Sequence, residues 1–310
     1  PRVSPSGEKI KSLVSIIEQM VVDNGEKLSR FDRVQIEEAL TKVFEEVRLE
    51  KNTRSPLISD FANYCAKSKE EALQKISKLL FPWVGNSPYG KLLDRNGKIN
   101  TDSPVVAFDL KGLSQYPDLQ SVMILILTNF ILDQIENDRS TPKRVLLDES
   151  WELLKSPAAS SFMEYAARTF RKTGSGISFI TQGVEEIVQS PIGSAILNNT
   201  AMKLIMLQKG DTKVLAEALK LNSQEVRLIQ SLEQRKGVFS EGFLMEGDAR
   251  QVLRIFPSPL EYWISTSDAR DNQFLEKLKT SESLILSEAV FRAAEMAPFG
   301  VASLKQKAAA

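Results

Sequence analysis

The sequence predicts an α/β fold in which a mostly parallel sheet is flanked by helices and preceded by an all-α subdomain. Two textures predict it. Up to about residue 83 the apolar residues recur at helical spacing and no strand-like alternation interrupts them. From residue 104 onward, short apolar runs alternate with helical segments, the pattern of parallel strands covered on both faces by helices. With 310 residues, 42% of them apolar, the chain is long enough for one large domain or two modest ones.

The first helix lies in SGEKIKSLVSIIEQMV, which puts Ile10, Leu13, Val14, Ile17 and Met20 on one face behind Ser6 as N-cap. The second, in SRFDRVQIEEALTKVFEEVRLE, has Val34, Ile36, Leu40, Val43 and Phe44 as its apolar set. Two shorter helices follow, around 56 to 66 and 69 to 80, and the Gly/Asn/Ser/Asp-rich stretch 84 to 103 reads as a connecting loop. Strands are expected at PVVAFDL (104 to 110), RVLLDE (144 to 149), GISFITQ (176 to 182) and AMKLIMLQ (201 to 208). Between the first two, SVMILILTNFIL (121 to 132) reads as a buried helix, a run too short to span a bilayer. KGVFSEGFLMEGDARQVLRIF (236 to 256) reads as an antiparallel hairpin turning at Glu246-Gly247-Asp248, and helices close the chain. The expected division is 1 to 100 for the helical subdomain and connecting loop, 101 to 265 for the α/β core and 266 to 310 for the closing helices.

Composition removes several chemistries. There is no histidine and a single cysteine, Cys65, so Cys/His zinc sites, Ser/His/Asp catalysis and an internal disulfide are excluded. Forty basic and forty acidic residues give no net field toward nucleic acid or an anionic membrane. No basic leader with an apolar stretch opens the sequence, which gives the expectation of a reducing, cytosolic compartment. The first residue is not methionine, and we expect the chain to be part of something longer.

The informative stretch is KRVLLDESW. A strand ending at Leu147 delivers Asp148 and Glu149 to the C-terminal end, where parallel α/β sheets place their ligands. Asp148 suits Mg²⁺ coordination and Glu149 suits polarising a water for attack on a γ-phosphate; an acidic first turn of a helix is the equal alternative from the pair alone. Thr181 and Gln182 end the next strand. Their bland reading is a turn cap, but beside Asp148 and Glu149 an uncharged amide suits orienting water or sensing a γ-phosphate. Arg168, Arg171 and Lys172 close the intervening helix; they suit phosphates across a subunit boundary, or neutralise the helix C-terminus. Gly174-Ser175-Gly176 is followed by Ile177, not by the Lys-Ser/Thr of a phosphate loop, so KTGSG reads as a helix stop with Gly174 as its C-cap. Trp83, Trp151 and Trp263 sit among apolar helix residues and read as packing.

The order FDLKGL, RVLLDESWELL, ARTFRKTGSGISFITQG and ILNNTAMKLIMLQ resembles the C-terminal ATPase domain of the VirB4/TraC proteins of type IV secretion and conjugation machines, within the FtsK/HerA-like RecA-fold motors. The resemblance covers most of the chain. It implies a RecA-like fold and a site in which Asp148 and Glu149 are the Walker B pair, Asp148 serving Mg²⁺. It likewise makes Gln182 the sensor glutamine beside Thr181, and Arg168, Arg171 and Lys172 the arginine-rich motif near the intersubunit site. It further implies ATP hydrolysis by a hexamer of the full-length protein at the cytoplasmic face of the inner membrane, with other secretion subunits and a pilin or protein substrate as partners. No Gly-Lys-Ser/Thr occurs in the sequence. The family's phosphate loop is therefore expected N-terminal to these residues, and this fragment is expected to be inactive by itself. The alternatives are an interaction module of the same machine and a DNA translocase of the same superfamily; zero net charge does not favour the latter.

Overall fold

The structure is a computed structural model and describes residues 5–23, 26–49, 54–97, 103–113, 115–149 and 157–302. Two compact units divide at Ile180 and Thr181, and each is described by itself.

The first unit opens with α1 (Gly7–Val21) and α2 (Arg30–Leu49), followed by α3 (Ile58–Lys67) and α4 (Glu71–Leu79). Ser6 caps α1 by accepting the Lys9 amide, as its position predicts, and Ile10, Val14, Ile17 and Met20 are buried along one stripe. In α2 the buried set is Ile36, Ala39, Leu40, Val43 and Val47; Val34, expected inside, faces solvent because the stripe runs one position further round the helix. Asp60 begins α3 by accepting the Leu57 amide at 2.7 Å and a guanidinium nitrogen of Arg54 at 2.9 Å. That guanidinium holds the Asp60 carboxyl below the usual carboxylate range.

Residues 84 to 94 correct the expected connecting loop. They fold back onto the helices through a short α5 (Gly90–Leu93), and Val84, Tyr89 and Leu93 join the helical core. The Asp94 carboxylate accepts the Ser59 and Gly85 amides at 2.9 and 2.7 Å, and a Cβ on Gly90 would lie 2.4 Å from the Val84 carbonyl carbon. Trp83 is buried and donates its indole N–H to the Met20 carbonyl at 3.0 Å, which makes it a packing residue as expected.

The apolar run at 121 to 132 sits in a longer helix than expected, α6 (Pro117–Asn137), because Pro117 starts it a turn earlier and polar residues extend it past Leu132. At 21 residues it is, by length and composition, the one helix among the described residues able to cross a membrane; Leu119 and Val122 pack into the helical core. The expected strand at 104 to 110 does not form. Its residues join no ladder, with Val105 78% exposed, and Asp109 ends them by accepting the Lys111 amide. No strand edge among the described residues lies against them to complete a ladder.

Two parallel strands do form, β1 (Arg144–Leu147) and β2 (Gly176–Phe179), joined through α7 (Pro157–Thr169) and a 3-10 turn at Phe170–Thr173. Gly174 caps that turn in the left-handed conformation, φ 68°, so KTGSG is the helix stop that the sequence indicates. β1 was expected to be buried; instead it alternates, and Leu146 is 68% exposed.

The second unit carries α8 (Val184–Val188), α9 (Gly193–Asn199), β3 (Met202–Met206), α10 (Lys213–Leu219) and α11 (Ser223–Gln230). It continues with β4 (Gln234–Arg235), β5 (Phe239–Glu246), β6 (Ala249–Ile255), α12 (Pro259–Ser265), α13 (Ala269–Ser281) and α14 (Leu286–Met296). β3 was expected to continue a parallel sheet. It pairs antiparallel with β5, in a four-stranded sheet where β6 takes the other edge of β5 through the Gly247-Asp248 turn, as the hairpin pattern predicts. Exposed Met202, Leu204 and Met206 alternate with Lys203 and buried Ile205, the signature of a sheet covered on one face. The closing helices pack around Trp263, whose indole donates to the Ala297 carbonyl at 2.8 Å. Beside it the Asp271 carboxylate, 3% exposed, accepts the Tyr262 hydroxyl, the Thr266 hydroxyl and the Val301 amide at 2.6, 3.1 and 2.8 Å. Burial and this carboxylate push the Tyr262 hydroxyl up to about 12.

Two stability outcomes follow from these polar anchors. Asp271→Ala leaves three partly buried donors without their shared acceptor and lowers the unfolding free energy by about 2 kcal/mol, read as a fall in the urea midpoint. Asp60 titrates lower when folded than when unfolded, so its contribution is complete above about pH 5 and disappears as pH falls through the depressed value. The stability advantage of wild type over Arg54→Met, measured by urea unfolding across that range, therefore shrinks on acidification.

Candidate functional site

The ladder between β1 and β2 runs in register from Arg144 opposite Gly176 to Leu147 opposite Phe179. It is extended at each end, by the Gly176 amide on the Lys143 carbonyl and the Ile180 amide on the Leu147 carbonyl, both 2.9 Å. Asp148 and Glu149 leave β1 at its C-terminal end as a turn, both side chains exposed. The Glu149 amide donates to Asp148 Oδ1 at 3.0 Å, and Glu149 adopts φ 48°. A glutamate in that left-handed region is uncommon and costs roughly 1–2 kcal/mol, and strained backbone of this kind gathers at functional sites. Among the described residues the Glu149 carboxylate makes no hydrogen bond or ion pair.

The cations stand at the other end of the strand pair. Arg171 and Lys172 lie in the 3-10 turn just before β2 begins, whereas Asp148 follows the end of its parallel neighbour; strand rise puts the two ends roughly 13 Å apart. Both side chains are exposed and unpaired among the described residues. Arg168, on the last turn of α7, is already bound to Glu164 at 2.8 Å, an i,i+4 surface pair. One chain therefore does not bring Arg171 and Lys172 to its own Asp148 and Glu149.

Thr181 and Gln182 follow Ile180 in sequence and open the second unit. The Thr181 hydroxyl is spent locally, donating within reach of both the Glu186 carboxylate (2.6 Å) and the Gly183 carbonyl (3.0 Å) ahead of α8, which is the turn-capping role. Gln182 is exposed and makes no side-chain hydrogen bond among the described residues. Trp151 lies outside the described residues.

Sequence reading passed over two supports of this site. Asp138 and Lys143 build the turn into β1: Lys143 contacts the Asp138 carboxylate at 3.3 Å, and hydrogen bonds from Ser140 and Thr141 hold the Asp138 carboxyl far below the usual carboxylate range. The Asp-x-Ser-Thr spacing was the available signal, that of a side chain capping amides two and three residues on. The Arg144 side chain lies over Gly176, where a Cβ would come within 2.8 Å of its guanidinium. Glu149's left-handed backbone had no signal, since nothing in the residue type asks for it.

No group of three or more Asp, Glu, Cys or His side chains gathers among the described residues, so a cation cage made wholly of protein is not what the donors build. A single exposed carboxylate such as Asp148 fits Mg²⁺, which keeps most of its waters and takes its other ligands from phosphates.

A parallel strand pair with helices beside it, carboxylates following its end and a helical subdomain before it is an arrangement of the RecA-like fold. The family model described as the TraG P-loop domain matches residues 2–296, and the chain belongs to that family, a P-loop ATPase type. It is similar to the type IV secretion system protein virB4 of Bartonella quintana, 25% identical over 173 residues, and to virB4 of Bartonella henselae, 26% over 165. Those stretches are 55% and 52% of this chain and 21% of either relative, so the chain spans only a fraction of their length. The solved VirB4 of Thermoanaerobacter pseudethanolicus shares the fold, with TM-score 0.64 and 22% identity over 83% of this chain and 71% of that one. The domain is thus of the VirB4/TraC type that the motif order indicates.

The strain at Glu149 is measurable apart from any reaction. Glu149→Gly removes the left-handed penalty at a smaller entropic cost and raises the unfolding free energy by about 0.5 kcal/mol, seen as a higher urea midpoint.

Proposed function

We propose that this chain is the back part of a motor ATPase of a type IV secretion or conjugation system, coupling ATP hydrolysis to pilus assembly and substrate transfer. The observation that carries the reading is the pair Asp148 and Glu149 at the strand end, with Glu149 strained, exposed and unpartnered among the described residues. The family and the virB4 relatives support it. The sequence has no Gly-Lys-Ser/Thr, so we assign the phosphate cradle to sequence outside these residues.

In this reading Asp148 is the residue that would hold Mg²⁺, which when bound neutralises charge on the nucleotide phosphates. Glu149 accepts a proton from the water that attacks the γ-phosphorus as ADP departs, and the Gln182 amide orients that water. Arg171 and Lys172, a strand's length from the carboxylates of their own chain, serve a neighbour's nucleotide; this is the geometry a closed ring asks for, and we propose a hexamer. Arg168 joins them by giving up its exposed pair with Glu164, which is worth little. Thr181 sets the backbone from which Gln182 projects. Work at the cytoplasmic face of the inner membrane, with other secretion subunits and a pilin or protein substrate, completes the proposal. A non-hydrolysing interaction module is the second reading, favoured by the exposed Leu286 and Phe291 on α14 and Ile285 just before it.

The test is steady-state hydrolysis of ATP with Mg²⁺ by this chain and by a longer chain that includes a Gly-Lys-Ser/Thr loop. Activity is expected in the longer chain alone, and Glu149→Gln there lowers kcat by about 100-fold or more. Undiminished turnover in that variant removes Glu149 from its role, and a longer chain that binds no nucleotide favours the interaction module.

A further inference from the structure

The end of the strand pair opposite the carboxylates holds more positive charge than Arg171 and Lys172 alone supply. The segments leading into β1 and β2, 138 to 144 and 170 to 176, carry Arg139, Lys143, Arg144, Arg171 and Lys172 against a single acid, Asp138. The Gly176 amide donates to the Lys143 carbonyl at 2.9 Å, which brings the two segments together. Lys143 takes Asp138, and the other four cations are exposed and unpaired among the described residues. The whole chain balances forty bases with forty acids, so this is a local excess. Cations gathered without an acid repel one another, a cost that a bound anion removes.

Arg144 is placed by the ladder itself. It stands opposite Gly176, and its side chain crosses from β1 to lie over that glycine, with Cδ 3.2 Å and the guanidinium carbon 3.4 Å from where a Cβ would be. Any side chain at 176 would push the guanidinium aside, so the glycine is its seat. Gly176 follows Lys172 by four residues, at most about 14 Å of chain, and the seated guanidinium is thus carried toward the cations of the turn. A nucleic-acid strand would need cations in a line with aromatic faces between them. Here they gather at one end of two strands, and the next residue on that face of β1 is the exposed, apolar Leu146. A compact polyphosphate matches better, and guanidinium groups suit its oxygens. The chain's own strand-end carboxylates are a strand's length away. We propose that Arg144, seated on Gly176, joins Arg171 and Lys172 in contacting the phosphates of a nucleotide held by a neighbouring copy, a role that rests on this chain being part of the motor proposed above.

Two readouts test it. In the 310-residue chain, sodium tripolyphosphate shifts the arginine side-chain NMR signals of Arg144 and Arg171 along one saturating curve, while Arg270 and Arg292, exposed in the other unit, stay in place. Arg144→Ala weakens that binding by about tenfold, the factor of one charge-assisted hydrogen bond. Gly176→Ala meets only the flexible end of Arg144, so it moves the guanidinium while keeping its charge, and it weakens binding in the same direction even if Arg144→Ala fails to fold. In the longer chain with its Gly-Lys-Ser/Thr loop, Arg144→Ala lowers kcat by about tenfold or more. Mixing that variant with Glu149→Gln then raises turnover above the mean of the two, because mixed rings hold sites with the acid of one chain and the cations of the next. Equal shifts at all four arginines, undiminished affinity in a folded Arg144→Ala, tighter binding of a single-stranded oligonucleotide of equal charge, or no gain on mixing would each overturn the proposal. Loss of turnover in Glu149→Gln with none in Arg144→Ala overturns it by itself, whereas undiminished turnover in Glu149→Gln overturns the motor reading and the proposal with it.

Discussion

The parallel pairing of Arg144–Leu147 with Gly176–Phe179 is the constraint on which the site depends. A slip of one residue would turn each side chain to the opposite face and carry Asp148 away from the strand end. Four residues of two strands cannot hold that register unaided. The stop at Gly174 fixes where β2 starts, and Asp138 with Lys143 fixes where β1 starts. α7 with buried Phe162, Met163 and Ala166, and the turn after it with buried Phe170, pack beside β2, the two phenylalanines meeting edge to face at 6.0 Å. The exposed carboxylates thus stand on a short ladder whose position is decided by turns and a helix rather than by the ladder's own length.

Local rules made much of this legible. Helical spacing of Ile10, Val14 and Ile17, the Ser6 cap and the Gly174 stop each depend on neighbours within a few residues, and each is realised. What failed needed information from a distant partner. AMKLIMLQ reads the same whether its neighbour runs parallel or antiparallel, and β5 decided the matter. PVVAFDL has the composition of a strand, yet a strand exists only against an edge, and none among the described residues meets it. The 84 to 94 stretch looked like a loop because it belongs to a run, 84 to 103, rich in Gly, Asn, Ser and Asp; the closeness of Gly90 to the Val84 carbonyl shows that its glycine serves contact, not freedom.

At the site the legible part was residue type and strand position. Asp148 and Glu149 were placed at a strand end by reading alone, and that is where they stand. The backbone of Glu149 and the spending of the Thr181 hydroxyl on Glu186 were beyond reach, since both are decided by what the turn must do after the strand.

The polar residues of the chain fall into two energetic groups. Asp271 is buried and Asp94 and Asp60 are partly so, and each accepts two or more hydrogen bonds, because a carboxylate withdrawn from water without partners is costly. Glu149, Gln182, Arg171 and Lys172 are exposed and make no bonds among the described residues, a condition that costs little only while water reaches them. A role for these four therefore requires that something replace that water. Whatever does so must present a positive or donating surface to Glu149 and a negative one to Arg171 and Lys172. Because those groups sit at opposite ends of the strand pair, a single small anion cannot satisfy both within one chain. Either two ligands bind, or the same ligand is met by two copies. The second alternative turns the separation between acid and base into a reason for assembly, with a phosphate held at one chain's strand end and its charge answered from the next.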